Sequence, residues 1–411
     1  MSNNSMNDEY REELSESGYR VGVESDDEEE TILEPFDPDS ISIEQKVVPM
    51  DTLIRRLRQG SIHLSPSFQR DEVWDLTRRS RLIESLMLKV PLPMFYVAAD
   101  ENGKWEVVDG LQRLSTIRDF ILGDKDGIHL VLKNLEFLGD KLNGKTYISL
   151  EKDVSQQRLI NSILETEMRF TVINPGTPEA VKRNIFKRIN TGGMPLTSQE
   201  IRHALYQGKS SLLLSELAQC SEFSTAIGSK INDTRMAARE LILRFISFYI
   251  FDRDSFKSNM DAWLSNTMRV INLMPSIESK ELFKIFKNDV PNIKTSSLDD
   301  IKYKFTLSMK RSNEIFNGHA FRKSLPDDLR KTPINKSLFE VWANVLAALD
   351  DTDYARLLTL KPNLMGHYKK VFDDSFFVSA ISRHSSAATS VQYRYEVIND
   401  IIYKTLNGEE V

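Results

Sequence analysis

Residues 105–117 read Trp-Glu-Val-Val-Asp-Gly-Leu-Gln-Arg-Leu-Ser-Thr-Ile, and no other stretch constrains the fold of this chain as tightly. The apolar run Trp105, Val107, Val108 predicts a strand. Asp109-Gly110 is turn chemistry, because glycine takes backbone angles closed to other residues. From Gln112 the apolar spacing changes to Leu114, Ile117, Ile121 and Leu122, the period of one helical face. A strand, a tight turn and a helix start bring unpaired backbone N–H groups to one point, with the positive end of the helix dipole behind them. Arg113 in the first helical turn adds a forked donor suited to phosphate, and a residue facing an anion there is expected to lie outside the core. On geometry alone the same residues also describe a plain strand-to-helix turn with a surface arginine.

A chain of 411 residues is long for one core, so two folded parts and a tail are expected. Cys220 is the single cysteine, which excludes an internal disulfide and a cysteine-based zinc cage. No segment reaches the roughly 20 apolar residues of a membrane span, and the acidic start is unlike a signal peptide. A cytoplasmic location fits these features. The net charge of −6 conceals a split: residues 1–40 carry fourteen acidic side chains against Arg11 and Arg20, so this segment stands at −12 and the rest at +6. With almost unbroken acid from Glu24 to Glu30 and no apolar period, residues 1–41 are expected to be a disordered tail, for solubility or as a polyanion competing with nucleic acid.

Patterning then divides the chain into an α/β region at 42–205 and an α-helical region at 206–411, an α+β chain overall. The α/β region predicts a helix over 77–88 with Thr77 as N-cap, strands at Met94–Ala99 and Glu167–Ile173, and a helix opening at Thr197 or Ser198 with Glu200 placed for a capping box. Leu241–Ile250 and Leu338–Leu349 read as buried helices.

Three further clusters join the 109–116 turn: Ser67-Phe68-Gln69-Arg70 with Val73-Trp74, then Phe186-Lys187-Arg188-Ile189-Asn190-Thr191-Gly192-Gly193 with Leu196, then Gln199-Glu200-Ile201-Arg202. Read singly, they are an exposed loop with an aromatic anchor, a helix C-cap and a helix start. In this order they resemble the GmrSD-type restriction N-terminal family, related to the ParB/sulfiredoxin fold, over about 45–205. Asp-Gly-Leu-Gln-Arg-Leu-Ser-Thr-Ile is similar to that family's Asp-Gly-Gln-Gln-Arg-Leu-Thr-Thr-Leu signature. Leu111 departs from it, so a polar contact from that position is expected to be missing. A weaker likeness touches Ser379–Ser382, Val391 and Arg394.

The resemblance implies a ParB-like domain that binds and hydrolyses a nucleoside triphosphate (GTP, ATP or CTP) with magnesium, in defence against foreign or modified DNA. It nominates Gln69, Arg70, Gly110, Gln112, Arg113, Ser115, Thr116, Arg188, Asn190, Gly192 and Gly193 for the nucleotide. Asp109, Gln112 and Arg113 would carry the chemistry, and Asn190 with Glu200 would hold the metal. Trp74 reads as packing. His63, His129, His203, His319, His367 and His384 are scattered, without the close pair an HNH nuclease centre needs, and no Walker-type Gly-x-x-x-x-Gly-Lys-Ser/Thr occurs. Cutting is therefore expected of a separate HNH-type partner, with a homo-oligomer left open and no membrane partner. Two alternatives stand beside this reading: a nucleotide-gated DNA sensor without turnover, and a nicking nuclease that uses the ParB-like site itself. Basic clusters at Arg55-Arg56-Arg58, Arg78-Arg79-Arg81 and Lys182-Arg183…Lys187-Arg188 would serve DNA phosphates, or else are solvated helix faces.

Overall fold

The computed structural model describes residues 12–14, 20–25, 42–64, 74–178, 181–185, 197–228, 231, 233–287 and 289–409. The chain passes through one unit twice. Met1–Ile32 and Thr197–Val411 form a helical unit, and Leu33–Leu196 form an α/β unit inserted between those two stretches of sequence.

The first described elements correct the expectation of a disordered tail. Strands β1 (Glu12–Leu14) and β2 (Arg20–Glu24) pair antiparallel. Val21 and Val23 are buried in the core of the helical unit. Glu24 donates its N–H to the Ile334 carbonyl at 2.8 Å, and Ile334 returns one to Gly22 at 2.9 Å. Acidity does not prevent this, because the carboxylates find cations: Glu13 meets Lys336 at 2.7 Å and Glu24 meets Lys323 at 3.1 Å. Residues 26–41 lie outside the described residues.

The α/β unit is built on a five-stranded mixed sheet in the order β3-β7-β5-β6-β4. Its strands are β3 (Ile43–Pro49), β4 (Ile62–His63), β5 (Phe95–Ala99), β6 (Trp105–Asp109) and β7 (Glu167–Ile173). β5 pairs antiparallel with β6 and parallel with β7, while the short β4 lies parallel to β6. Period-two alternation sends Phe95, Val97, Trp105, Val107, Phe170 and Val172 to one face, where they join one core with the helices. Those helices are α1 (Met50–Arg58), α2 (Leu76–Met87), α3 (Leu111–Ile121), α4 (Gly139–Leu142), α5 (Tyr147–Glu151) and α6 (Gln157–Leu164). α2 starts one residue earlier than predicted. Asp75, not Thr77, caps it by accepting the Arg78 N–H at 2.6 Å. Glu84 on this helix is buried and accepts backbone N–H groups from Glu136, Phe137 and Leu138 at 2.7–3.0 Å. Burial opposes its charge, but those donors and Arg81 outweigh it and hold the carboxyl below its usual range.

In the helical unit the longest or most buried helices are α7 (Ser198–Leu205), α8 (Ala237–Ile250), α9 (Met260–Leu273), α10 (Leu298–Phe316), α11 (Lys336–Ala348) and α12 (Ala388–Leu406). The division falls at Thr197 rather than 205, because α7 packs with the helices that follow it. Every residue from Lys336 to Ala347 is buried, as expected of a helix surrounded by others. Inside it, Glu340 takes a two-pronged contact from Arg394 at 2.7 and 2.8 Å, both side chains fully buried. Arg394 also donates to the carbonyls of Ala380 and Ser385. The observed α+β class and the helical C-terminal part agree with the sequence expectation.

Candidate functional site

The β6–α3 turn is as expected: strand to Asp109, helix from Leu111, Gly110 between them. Gly110 has φ +95°, the left-handed region. A Cβ there would lie 2.4 Å from Cδ1 of Phe95 and 3.0 Å from Nη2 of Arg113. Glycine is required twice over, by its angle and by the aromatic ring against it. Having no side chain, it leaves the first N–H groups of α3 uncapped, and these are the donors an anion would use.

Arg113 is placed differently from the expectation of a solvent-facing phosphate grip. Its side chain is only 11% exposed. It donates to the Pro93 carbonyl, to Met94 O at 3.3 Å and to Asp109 Oδ2 at 2.8 Å. The guanidinium lies 4.3 Å over the Phe95 ring, an attractive stack. Burial pulls its pKa down, and Asp109 pushes it back up. Arg113 therefore clamps the residues leading into β5 to the turn after β6. Asp109 is its counter-ion, half-buried, with Oδ2 on the guanidinium.

Gln112 is half-buried on the first turn of α3. Ser115 and Thr116 are buried, and the Thr116 hydroxyl donates to Gln112 O at 2.7 Å, so it serves the helix rather than a ligand. Gln69, Arg70, Arg188, Asn190, Gly192 and Gly193 lie outside the described residues. Glu200, expected as a metal ligand with Asn190, is a buried helix cap. Its Oε2 accepts the Thr197 N–H at 2.6 Å and lies 3.5 Å from Arg235, while Thr197 Oγ1 accepts the Glu200 N–H at 3.1 Å. The capping box predicted at this position is thus present, and it occupies the carboxylate. Among the described residues no group of three or more His, Cys, Asp or Glu side chains could hold a metal ion. No helix among them is long and apolar enough to cross a membrane.

Sequence reasoning passed over Glu106. It sits on β6 between Trp105 and Val107, its Cα opposite His63 on β4 and Ala98 on β5. Burial, with the charge of Asp100, pushes its carboxyl up to about 7. The available signal was an acidic residue in the middle of a buried strand.

Of the basic clusters, the one on α2 is engaged locally. Arg79 pairs with Asp119, Arg78 covers the Trp74 ring at 4.5 Å, and Arg81 lies 3.9 Å from Glu136. Trp74 itself packs against the α/β core.

No curated protein matches the chain. Residues 51–207 match the GmrSD restriction endonuclease, N-terminal domain. That span takes in α1, the locked β6–α3 turn and all but one strand of the sheet, and it is this part of the chain that is similar to the GmrSD-type N-terminal domain.

Proposed function

We propose that this chain acts in restriction of foreign or modified DNA, and that its α/β unit binds and hydrolyses a nucleoside triphosphate at the β6–α3 turn. The involvement in restriction rests on the domain match. The observation that carries the nucleotide reading is the uncapped start of α3, held rigid by Gly110 against Phe95 and by the Arg113–Asp109 clamp. A rigid set of N–H donors needs no rearrangement when an anion arrives, which favours phosphate.

In this reading the N–H groups of residues 111–113 hold phosphate oxygens. The Gln112 amide orients a phosphate or the attacking water, and Arg113 works from behind by fixing the turn. Phosphoryl transfer asks for positioning and charge stabilisation more than for covalent chemistry. Magnesium binds through one or two carboxylates when phosphates supply the other oxygens. Asp109, with one oxygen on Arg113, fits that demand; the metal would supply charge neutralisation. DNA cutting falls to a partner nuclease.

The reading is tested by melting the full chain with GTP, ATP or CTP in the presence of magnesium. A nucleotide at one hundred times its dissociation constant should add about 2.7 kcal/mol, and Gln112→Ala should keep that shift while slowing phosphate release. Absence of a shift with all three nucleotides refutes the nucleotide site.

A further inference from the structure

The opposite end of β6 carries a second feature, independent of the turn. An open pocket of about 490 Å³ lies there, bordered by α1, by β3 and by the ends of β5 and β7. Val48, Trp105 and Val172 form its apolar floor. Its volume is within the 300–1,000 Å³ range of small-molecule sites.

Arg56 on α1 is the informative residue. Its guanidinium lies 3.7 Å over the Trp105 ring and donates Nη2 to the Gly103 carbonyl at 3.0 Å. These two contacts fix its plane. No carboxylate pairs with it among the described residues, and burial alone lowers its pKa. An arginine that is partly desolvated, immobilised and without a counter-ion meets the conditions for an external oxyanion. Nε and Nη1 retain three N–H donors for ligand oxygens.

Lys46 on β3 adds a second cation to the same pocket, 3.0 Å from the exposed Glu44. Asn174 lines it as well, its Nδ2 donating to Ser42 Oγ at 3.1 Å and its carbonyl oxygen left for a ligand donor. Asp100 and Glu101 stand on the rim, but Oδ1 of Asp100 is turned into the hairpin, where it accepts the N–H groups of Asn102 and Lys104.

We infer that this pocket is a second ligand site, which takes an organic phosphate carrying a planar ring, the chemistry of a single nucleotide unit, free or within a strand. The phosphate meets Arg56 and Lys46. The ring stacks on the plane of the Arg56 guanidinium, itself seated on the indole, because Val48, Trp105 and Val172 are almost fully buried and present little face of their own, and Asn174 meets a ring edge.

Equilibrium binding of AMP, of a short single-stranded oligodeoxyadenylate and of inorganic phosphate to the full chain, without magnesium, tests this. AMP or the oligonucleotide, or both, should bind, and Arg56→Gln and Lys46→Ala should each weaken that binding at least about tenfold. The magnesium-dependent melting shift with a nucleoside triphosphate should survive Arg56→Gln and Lys46→Ala, which separates this site from the turn. Binding of AMP identifies the free nucleotide as a source, and binding of the oligonucleotide alone identifies a strand. Lys46 is an exposed-edge residue, so its variant keeps the test valid if Arg56→Gln disturbs α1. The inference is overturned if neither organic probe binds, if inorganic phosphate binds as tightly as they do, or if both variants bind like the parent.

Discussion

Arg113 shows how one side chain changes meaning once its partners are known. In sequence it is a cation in the first turn of a helix; in the structure it bridges two backbone carbonyls, a carboxylate and a phenyl face. Arg113→Ala should therefore lower stability by about 2–4 kcal/mol, since hydrogen bonds from a charged, buried donor are lost and their acceptors stranded. Arg113→Lys should recover little, because one ammonium cannot serve three acceptors while lying flat on Phe95. Thermal melting decides: an Arg113→Ala protein that melts like the parent but loses nucleotide affinity would make the guanidinium a ligand grip after all. Glu106 carries the second residue-level expectation. Its folded carboxyl titrates near 7, above the ~4.3 of an unfolded glutamate. Between those values the native state holds a proton that the unfolded chain has released, so the contribution of Glu106 to stability falls as pH rises from about 4.5 to 7 and then levels. Glu106→Gln should remove that slope, stabilising at pH 8 more than at pH 5. Parallel melting curves for parent and variant across this range would show that Glu106 is not held protonated.

At the scale of elements, β1 and β2 matter most. Two buried valines, two backbone hydrogen bonds to Ile334 and an Asn335 contact to Glu24 at 2.7 Å tie them to the helical unit. Deleting residues 1–25 should cost about 3–5 kcal/mol, from roughly 1.5–3 kcal/mol for each buried valine, and should leave Lys336 short of its partner Glu13. Chemical denaturation of the truncated protein checks this; an unchanged midpoint would return the segment to a solubility role. The same contacts bear on the idea of a competing acidic tail, whose acidic run at 26–30 lies outside the described residues. Glu13 and Glu24 are committed to lysines of the helical unit, so a truncation that raises DNA affinity must be judged against the stability it removes.

At the scale of the whole molecule, each unit has its own core, and that of the helical unit encloses charge. Glu340 and Arg394 are both fully buried, and Glu240 sits among Arg202, Arg244 and Lys336 at 3.1–3.5 Å. Three cations outweigh the burial of Glu240 and hold its carboxyl far below the ordinary range. Removing one partner of such a pair strands the other. Glu340→Leu should thus destabilise by about 3–5 kcal/mol, and Glu340→Leu with Arg394→Leu should recover much of that loss. A double-mutant cycle by urea denaturation measures it, and additive losses would refute the pairing argument.

Local pattern was enough for features whose causes are local. The β6–α3 turn, strand Glu167–Ile173 and the Thr197–Glu200 capping box stand where spacing and turn chemistry placed them, because each is decided within a few residues. What tertiary structure decided is whatever depends on a distant partner. The carbonyls that Arg113 clamps lie 19 and 20 positions earlier, and the size of the shift at the Glu106 carboxyl depends on burial and on Asp100 across the hairpin, which the strand pattern alone does not set. An acidic stretch near the N-terminus becomes two strands only because Asn335, 311 residues on from Glu24, and the lysines around it supply donors and cations. Charge read along a chain counts what must be neutralised; only the fold brings the neutralising groups within hydrogen-bond reach.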